Sequence, residues 1–382
     1  MEIDPDTYED KPEDEEELEE EQIFISKVMR GLKLSAVEAL KEKEKEADDD
    51  DEDKKEDEEF GKPGYSKADY QEVTYHHLHG TDKNSKKVEI KTYAPKVFLD
   101  IRSLCKVSTK EFLEGWDWHG KDLPLPKPGA GRSGSLFITA KNRHFIFKTI
   151  PHFEVETLVE ILPYLHKHYN DHPDSRIARF LGLYRFQKQG VLSSEDMHVI
   201  IMTNMLYHPG WPIHFKYDLK GRKPKPGKAS RDVQNKEKNG VVLKDNDDLT
   251  KKFHMDEPVR RQLLDTLHSD VEFLLKHNCM DYSLLVGVHQ KNRPVEEPVK
   301  KSGKKKKYVH RIFFLFLAFS FFALFEIVAV QVSSPKSIIC VCFEASIDKL
   351  FFQLMLSACC LPLRSIGSMV RNVTYALMLR FQ

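Results

Sequence analysis

The sequence has 382 residues, of which 31% are charged and 40% are hydrophobic, and its formal net charge is −1. This near-neutral total hides an asymmetry in charge along the chain. Residues 1–60 hold 27 Asp/Glu and 9 Lys/Arg, a net charge of −18, whereas residues 61–382 hold 33 Asp/Glu and 50 Lys/Arg, a net charge of +17. Six cysteines without zinc-binding spacing argue against a zinc protein, and the absence of a signal peptide predicts a cytosolic body with reduced thiols. An acidic tail on a basic body suggests contact with anionic surfaces; a solubilising tail on an ordinary domain is the alternative.

The first 64 residues are predicted to form an acidic disordered tail. The runs of Glu and Asp in residues 1–22 and 42–59 cannot build a hydrophobic core. Between these runs, apolar residues recur at steps of three and four, namely Ile25, Met29, Leu32, Ala36 and Leu40. This spacing predicts an amphipathic helix, which we interpret as transient, with a partner-binding helix as the alternative.

Residues 65–290 have the sequence pattern of a globular domain. Strands are predicted in "VEIKTYA", "IARFLGLYRF" and "HVIIMTNML", and in residues 133–150 around a turn at 141–143. Helices are predicted in "PKVFLDIRSLC", in residues 154–169 with a kink or an end near Pro163, and in residues 256–277 with Asp256 as the cap. Strands precede helices along the chain, which favours an α+β architecture.

A glycine-rich turn, "GAGRSGS", lies immediately before a predicted strand. Glycine allows backbone amides to approach an anion closely, so such a turn can cover the phosphates of a nucleotide; a turn without function is the alternative. Lys148 ends the next strand, "HFIFK", where its ammonium group could meet those phosphates, and Glu154 or Glu156 could pair with it. An edge-strand lysine in solvent is the competing interpretation.

Three further segments carry polar groups. The apolar strand "VIIMTNML" ends at residues 203–206, a candidate hinge between two lobes. Residues 214–231 form a basic loop suited to phosphate headgroups or an anionic leaflet; a solvated loop and a nucleic-acid patch are the alternatives, the latter without interleaved base-stacking aromatics. Asp281, in "MDYSLLVGVH", could orient a hydroxyl for attack on a phosphoryl group, or it could simply end the preceding helix.

These segments, in this order, resemble the catalytic domain of the phosphatidylinositol phosphate kinases, above all in "YDLKG" and "MDYSLLVG". The resemblance implies a two-lobed α+β fold with an antiparallel sheet in an N-lobe of about residues 65–202 and a C-lobe starting at 203–290. It implies catalytic roles for Asp281 and Asp218. It implies that the cofactors are ATP and Mg²⁺. The residues expected to bind them belong to the phosphate-covering loop, the nucleotide lysine and its ion-pair partner, the hinge and the cleft, namely Gly131, Ser133, Gly134, Ser135, Lys148, Glu154, Asn204, Met205 and Lys216. Contacts with the lipid or membrane would come from Lys220, Arg222, Lys223, Lys225, Lys228 and Arg231.

The sequence also departs from the family pattern. Arg222 follows "DLKG" where the family usually has serine, and the Ile-Ile-Asp motif that binds magnesium in the family is not recognisable. After Asp281 the only aspartate is Asp348, a weak candidate for the metal ligand. Residues 291–382 are basic and then hydrophobic. They could be a membrane anchor through residues 312–330, a divergent part of the C-lobe, or translated non-coding sequence, the interpretation that we favour.

The sequence therefore predicts ATP-dependent phosphorylation of the inositol ring of a phosphatidylinositol monophosphate to a bisphosphate. The expected partners are the lipid, an anionic membrane surface and a second copy of the chain in a homodimer, without nucleic acid. The expected location is cytoplasmic and peripheral at membranes. Weak activity or none is expected of this chain if the metal motif is truly missing, and the alternative function is a membrane-attached pseudokinase that binds phosphoinositide or nucleotide.

Overall fold

The computed structural model describes residues 13–48, 61–79, 87–119, 122–128, 135–188, 196–219, 242–244, 256–290 and 337–346. Six helices are present in these ranges: α1 (Glu13–Asp48), α2 (Lys67–Gln71), α3 (Pro95–Leu104), α4 (Thr109–Gly115), α5 (His152–Asp171) and α6 (Glu257–Lys276). The strands are β1 (Val73–Leu78), β2 (Val88–Tyr93), β3 (Lys127–Pro128), β4 (Leu136–Thr139), β5 (Phe145–Ile150), β6 (Phe180–Lys188), β7 (Met197–Thr203), β8 (Phe215–Leu219), β9 (Leu243–Lys244), β10 (Met280–Gln290) and β11 (Ser337–Ser346).

The first seven strands form one sheet in the order β1-β2-β6-β7-β5-β4-β3. Every neighbouring pair in this sheet is antiparallel. Strand β2 shows why its sequence folds in this way, because buried and half-buried residues alternate along "VEIKTY" and one face enters the core. The antiparallel N-lobe sheet and the mixed helix and strand content confirm the predicted α+β class.

The second sheet has the order β11-β10-β8-β9 and follows the first sheet along the chain. Strand β10 lies between β8 and β11 and is antiparallel to both, whereas β8 and β9 are parallel. Helix α6 precedes β10 and buries a stripe that includes Leu263, Leu267, Val271 and Leu274. These residues recur at helical spacing on one face, and the helix predicted in residues 256–277 is confirmed.

The predicted turn at residues 141–143 is confirmed between β4 and β5. Arg143 has φ 65°, which permits the tight reversal, and the backbone N–H of Arg143 donates to the carbonyl of Ala140 at 2.8 Å. The helix predicted over residues 154–169 is longer than expected. Pro163 lies buried inside α5, and the helix continues to Asp171 instead of ending near the proline.

Helix α1 differs from the expectation of a transient helix in a disordered tail. Its residues Ile25, Val28, Met29 and Leu32 are at most 2% exposed and belong to the same core cluster as the seven-stranded sheet. The helix contacts α3, α4, β1 and β2. Burying four large apolar side chains contributes on the order of 1.5–3 kcal/mol each, which exceeds the repulsion among solvent-screened acidic groups.

Polar contacts fix the orientation of α1 on the sheet. The Ser35 and Thr92 hydroxyl groups lie 2.8 Å apart in a buried hydrogen bond, and the Lys33 ammonium lies 2.5 Å from the Asp117 carboxylate. A Cβ at Gly31 would lie 2.1 Å from Cδ1 of Ile90, so a larger residue at this position would require the Ile90 side chain to move. The acidic segment therefore contributes a structural helix to the N-lobe.

Several sequence-based expectations fall outside the described residues. These are the structure of the acidic residues 1–12 and 49–60, the loop glycines Gly131 and Gly134, the basic loop at residues 220–231 and the apolar residues 312–330. Among the residues that the structure describes, no helix combines the length and the apolar character needed to cross a membrane.

Candidate active site

Lys148 lies on an interior strand of the first sheet, on its candidate nucleotide face. It lies on β5 directly opposite Phe137 of β4 and Ile200 of β7, and it is half-buried. Its ammonium nitrogen lies 6.0 Å from the centroid of the Phe137 ring, within the range of a cation–π contact. Two strands therefore flank Lys148, and the interpretation as an edge-strand lysine in solvent is wrong.

Ser135, the last residue of the "GAGRSGS" segment, leads into β4 beside Lys148. Ser135 is 6% exposed and directly precedes β4, and the backbone N–H of Leu136 donates to the Thr149 hydroxyl at 2.8 Å. This bond joins the start of β4 to the residue after Lys148. Gly131, Ser133 and Gly134 lie outside the described residues.

Glu154 lies in the first turn of α5, four residues after Ile150 ends β5, and it is half-buried. An acidic side chain is stabilised in this position by the positive end of the helix dipole. The short β5–α5 connection brings this carboxylate to the end of the strand that carries Lys148. The Lys148–Glu154 ion pair itself stays a prediction.

The predicted hinge begins where β7 ends. The backbone N–H of Asn204 donates to the carbonyl of His144 at 2.7 Å, and Nδ2 of Asn204 donates to the carbonyl of Arg143 at 2.9 Å. Oδ1 of Asn204 accepts from the N–H of Leu206 at 3.3 Å. The side chain of Asn204 therefore ties the hinge to the β4–β5 turn, a role that the sequence did not reveal. Met205 is half-buried against the core cluster.

A second contact holds the same turn from the other side. Nδ1 of His144 lies 2.6 Å from Oε1 of Glu111 in α4, and Nδ2 of Asn142 donates to the carbonyl of Glu111 at 3.1 Å. The hinge, the β4–β5 turn and α4 are thus one connected unit. The sequence signal for this unit was weak, since it consists of isolated polar residues in loops.

Lys216 and Asp218 lie on the same face of β8, two residues apart, and their partners on β10 are Gly287 and Leu285. Both side chains are half-buried, and burial lowers the pKa of the Lys216 ammonium. Oδ1 of Asp218 is buried and has no hydrogen-bond partner among the described residues. A buried carboxylate oxygen in this state is suited to binding a cation or a ligand donor.

Asp281 is the second residue of β10. The preceding helix ends at Lys276, and the chain reverses through Asn278, which has φ 54°, before the strand begins. The alternative interpretation, that Asp281 ends the helix, is therefore wrong. Asp281 lies on the strand that pairs with the strand of Lys216 and Asp218.

Strand β11 adds a carboxylate that the sequence analysis did not consider. Its residue Glu344 is the register partner of Ser283, next to an irregularity between Met280 and Ser283 that contains Asp281. Glu344 therefore occupies a register position beside the irregularity that contains Asp281, whereas the candidate Asp348 lies outside the described residues. The apolar run "SIICVCF" before Glu344 is a strand signal that could have identified it.

The family model described as Phosphatidylinositol-4-phosphate 5-Kinase matches residues 120–311, which is half of the chain. The chain belongs to the phosphatidylinositol phosphate kinase family. The matched range contains the glycine-rich turn, Lys148, the hinge, "YDLKG" and "MDYSLLVGVH".

Individual members of the kinase family agree with this assignment. The chain is 32% identical over 228 residues to phosphatidylinositol 5-phosphate 4-kinase type-2 alpha of Sus scrofa and of Homo sapiens, covering 58% of this chain and 53% of each relative. It is 30% identical over 226 residues to the type-2 beta kinase of Homo sapiens, covering 58% and 51%. The chain spans about half the length of the curated relatives it matches.

Proposed function

We propose that this protein transfers the γ-phosphoryl group of ATP to an inositol-ring hydroxyl of a phosphatidylinositol monophosphate, giving a bisphosphate. The observation that supports this function best is the pairing of β8 with β10. It brings Lys216 and Asp218 to the strand that carries Asp281, while Lys148 lies in the preceding sheet. Phosphoryl transfer depends on positioning and charge stabilisation, for which cations and carboxylates on rigid strands are suited.

In this proposal Lys148 holds the nucleotide phosphates, and Asp281 accepts or orients the proton of the attacking hydroxyl. The lowered pKa of Lys216 follows from burial, and a phosphate group would restore the charge balance at that position. The basic loop containing Lys220, Arg222, Lys223, Lys225, Lys228 and Arg231 would contact the headgroup and an anionic membrane surface. A homodimer would present two such loops to one membrane.

Magnesium would supply charge neutralisation of the β- and γ-phosphates. The donor chemistry fits, because Mg²⁺ prefers oxygen ligands and Oδ1 of Asp218 is buried without a hydrogen-bond partner among the described residues. Among the described residues, no three His, Cys, Asp or Glu side chains are grouped for metal binding, so substrate phosphates would complete the coordination.

A non-catalytic pseudokinase is the second candidate, and the sequence observation behind it is that Asp348 is the only aspartate after Asp281. Thermal shift with ATP and Mg²⁺, combined with sedimentation of phosphatidylcholine vesicles that contain phosphatidylinositol 5-phosphate or 4-phosphate, separates a kinase from a pseudokinase that binds lipid alone. Transfer of label from ATP to the lipid separates a kinase from a pseudokinase that binds nucleotide. The kinase proposal predicts stabilisation by Mg²⁺ and ATP together that the Lys148→Met variant loses. Vesicle binding without any stabilisation by nucleotide would instead support the pseudokinase.

A further inference from the structure

The segment of residues 204–214 carries the chain from the first sheet to the second. Its first residue is tied to the β4–β5 turn by the hydrogen bonds of Asn204. Its last residue, His214, donates its backbone N–H to the carbonyl of Val288 at 2.7 Å and so extends the β8–β10 ladder by one bond. Hydrogen bonds therefore hold the segment at both ends.

One buried side chain contacts the segment between these ends. His289 of β10 is 2% exposed, and its Nδ1 donates to the carbonyl of Pro212. The ring of His289 also lies 4.8 Å from the ring of His214, measured between centroids. The strand of Asp281 thus contacts the connecting segment through a specific hydrogen bond and a ring contact.

We propose that His289 is a positioning residue that docks the connecting segment on β10 and thereby sets the separation between Lys148 in the first sheet and Asp218 in the second. The proposal rests on the proposed function, because that separation matters only if a nucleotide binds between the two sheets. His289 acts through the backbone of the segment and touches no reacting atom.

The surroundings of His289 favour the tautomer that this docking needs. Burial lowers the pKa of His289, the hydrogen bond to Pro212 raises it, and the neighbours His214 and His208 lower it further, to about 4 in total. The ring is therefore neutral at pH 7, with the proton on Nδ1 available to the Pro212 carbonyl. The groups that face His289 from the segment are His214 and His208, and its register partner on β11 is Ile338.

Ring contacts connect residues of the segment with each other and with the first sheet. The rings of His208 and Trp211 stack at 4.3 Å with an interplanar angle of 16°. Arg143 lies 4.5 Å from the ring centroid of Tyr207, so the segment also contacts the β4–β5 turn of the first sheet. A displacement at Pro212 would consequently reach the turn next to β5.

The test uses two matched variants of the full chain. In His289→Asn the side-chain amide nitrogen replaces Nδ1 and can still donate to Pro212, whereas in His289→Gln the amide nitrogen replaces Nε2 and points elsewhere. Hydrogen–deuterium exchange of residues 207–214, measured without ligand, should be similar in wild type and His289→Asn. It should be about tenfold faster in His289→Gln, the size of effect produced by one lost buried hydrogen bond.

Titration with a fluorescent ATP analogue and Mg²⁺ then tests positioning. The expected result is about tenfold weaker binding to His289→Gln than to His289→Asn, at equal unfolding temperatures of the two variants. Equal exchange in all three proteins, or equal nucleotide affinity of the two variants, would overturn the proposal. If wild type binds no nucleotide, the proposed function fails, while the exchange data still decide whether His289 docks the segment.

Discussion

Two isoleucines of α1 allow a direct test of whether the acidic segment is part of the folded core. Ile25 is 1% exposed and belongs to the core cluster, whereas Ile23, two residues earlier, is 52% exposed. Replacing each by alanine removes the same three carbon atoms from the same helix. The structure therefore predicts very different effects for two chemically identical substitutions.

The Ile25→Ala change removes buried apolar surface and leaves a cavity against the sheet, which costs about 2–5 kcal/mol. The Ile23→Ala change is expected to alter the free energy of unfolding by about 0.5 kcal/mol or less, because the side chain is already half in water and alanine favours a helix. With a urea m-value of about 3 kcal/mol/M, a loss of about 3 kcal/mol shifts the Ile25→Ala midpoint by about 1 M.

The assay is urea unfolding of the full chain, followed by tryptophan fluorescence, to which the buried Trp116 of the same core cluster contributes. A midpoint shift for Ile25→Ala that is several times larger than the shift for Ile23→Ala supports the packing of α1. Equal and small shifts would refute it, and they would restore the expectation of a tail that contributes nothing to the core.

Three further predictions follow from charged and titratable groups. The pKa of His289 is lowered to about 4 in the folded protein, so the free energy of unfolding should fall by about 3 kcal/mol as the pH drops from 6.5 to 4. Chemical denaturation of His289→Asn should show a weaker dependence of the free energy of unfolding on pH in that range. The pKa of Asp100 is lowered to about 2, because hydrogen bonds from His166 and Lys62 outweigh the opposing effect of burial. Its contribution of about 2 kcal/mol to the free energy of unfolding should be lost as the pH falls from about 4 to 2. In that range the free energy of unfolding of Asp100→Asn should depend less steeply on pH. Lys148→Met should weaken ATP binding at least about tenfold by calorimetry, whereas Lys110→Met, at a side chain that is 87% exposed, should leave ATP binding unchanged. Equal ATP affinities of the two variants would contradict the placement of Lys148 in the nucleotide site.

Local patterns in the sequence were enough to predict five of the seven strands of the first sheet, whereas β1 and β3 were not predicted. Lys148 could be placed on a strand because "HFIFK" alternates and because a turn precedes it at residues 141–143. Helix α6 could be bounded because Asp256 and Pro258 are typical of a helix start. The family motifs then indicated which of these residues belong to a kinase site.

The contacts of α1 and β11 could not be predicted in this way, since they join segments that are far apart in the chain. The flanking acidic runs of α1 indicate disorder, and the amphipathic spacing alone does not identify β2 as the surface that the helix covers. Glu344 pairs with Ser283 across about sixty residues of sequence, so its register position depends on sheet assembly and not on local pattern. The hydrogen bonds of Asn204 likewise depend on the left-handed turn residue Arg143, whose conformation a sequence pattern does not specify.

Phosphoryl transfer from radiolabelled ATP is the measurement that tests the proposed kinase function most directly. The full chain is incubated with Mg²⁺ and with phosphatidylcholine vesicles that contain phosphatidylinositol 5-phosphate or 4-phosphate, and the lipids are then separated. We predict a low yield of labelled phosphatidylinositol bisphosphate with wild type, because the magnesium motif of the family is not recognisable, an equal yield with Asp265→Asn, an exposed control on α6, and none with Asp281→Asn. Absence of labelled lipid from wild type, or equal labelling by wild type and Asp281→Asn, would contradict the account.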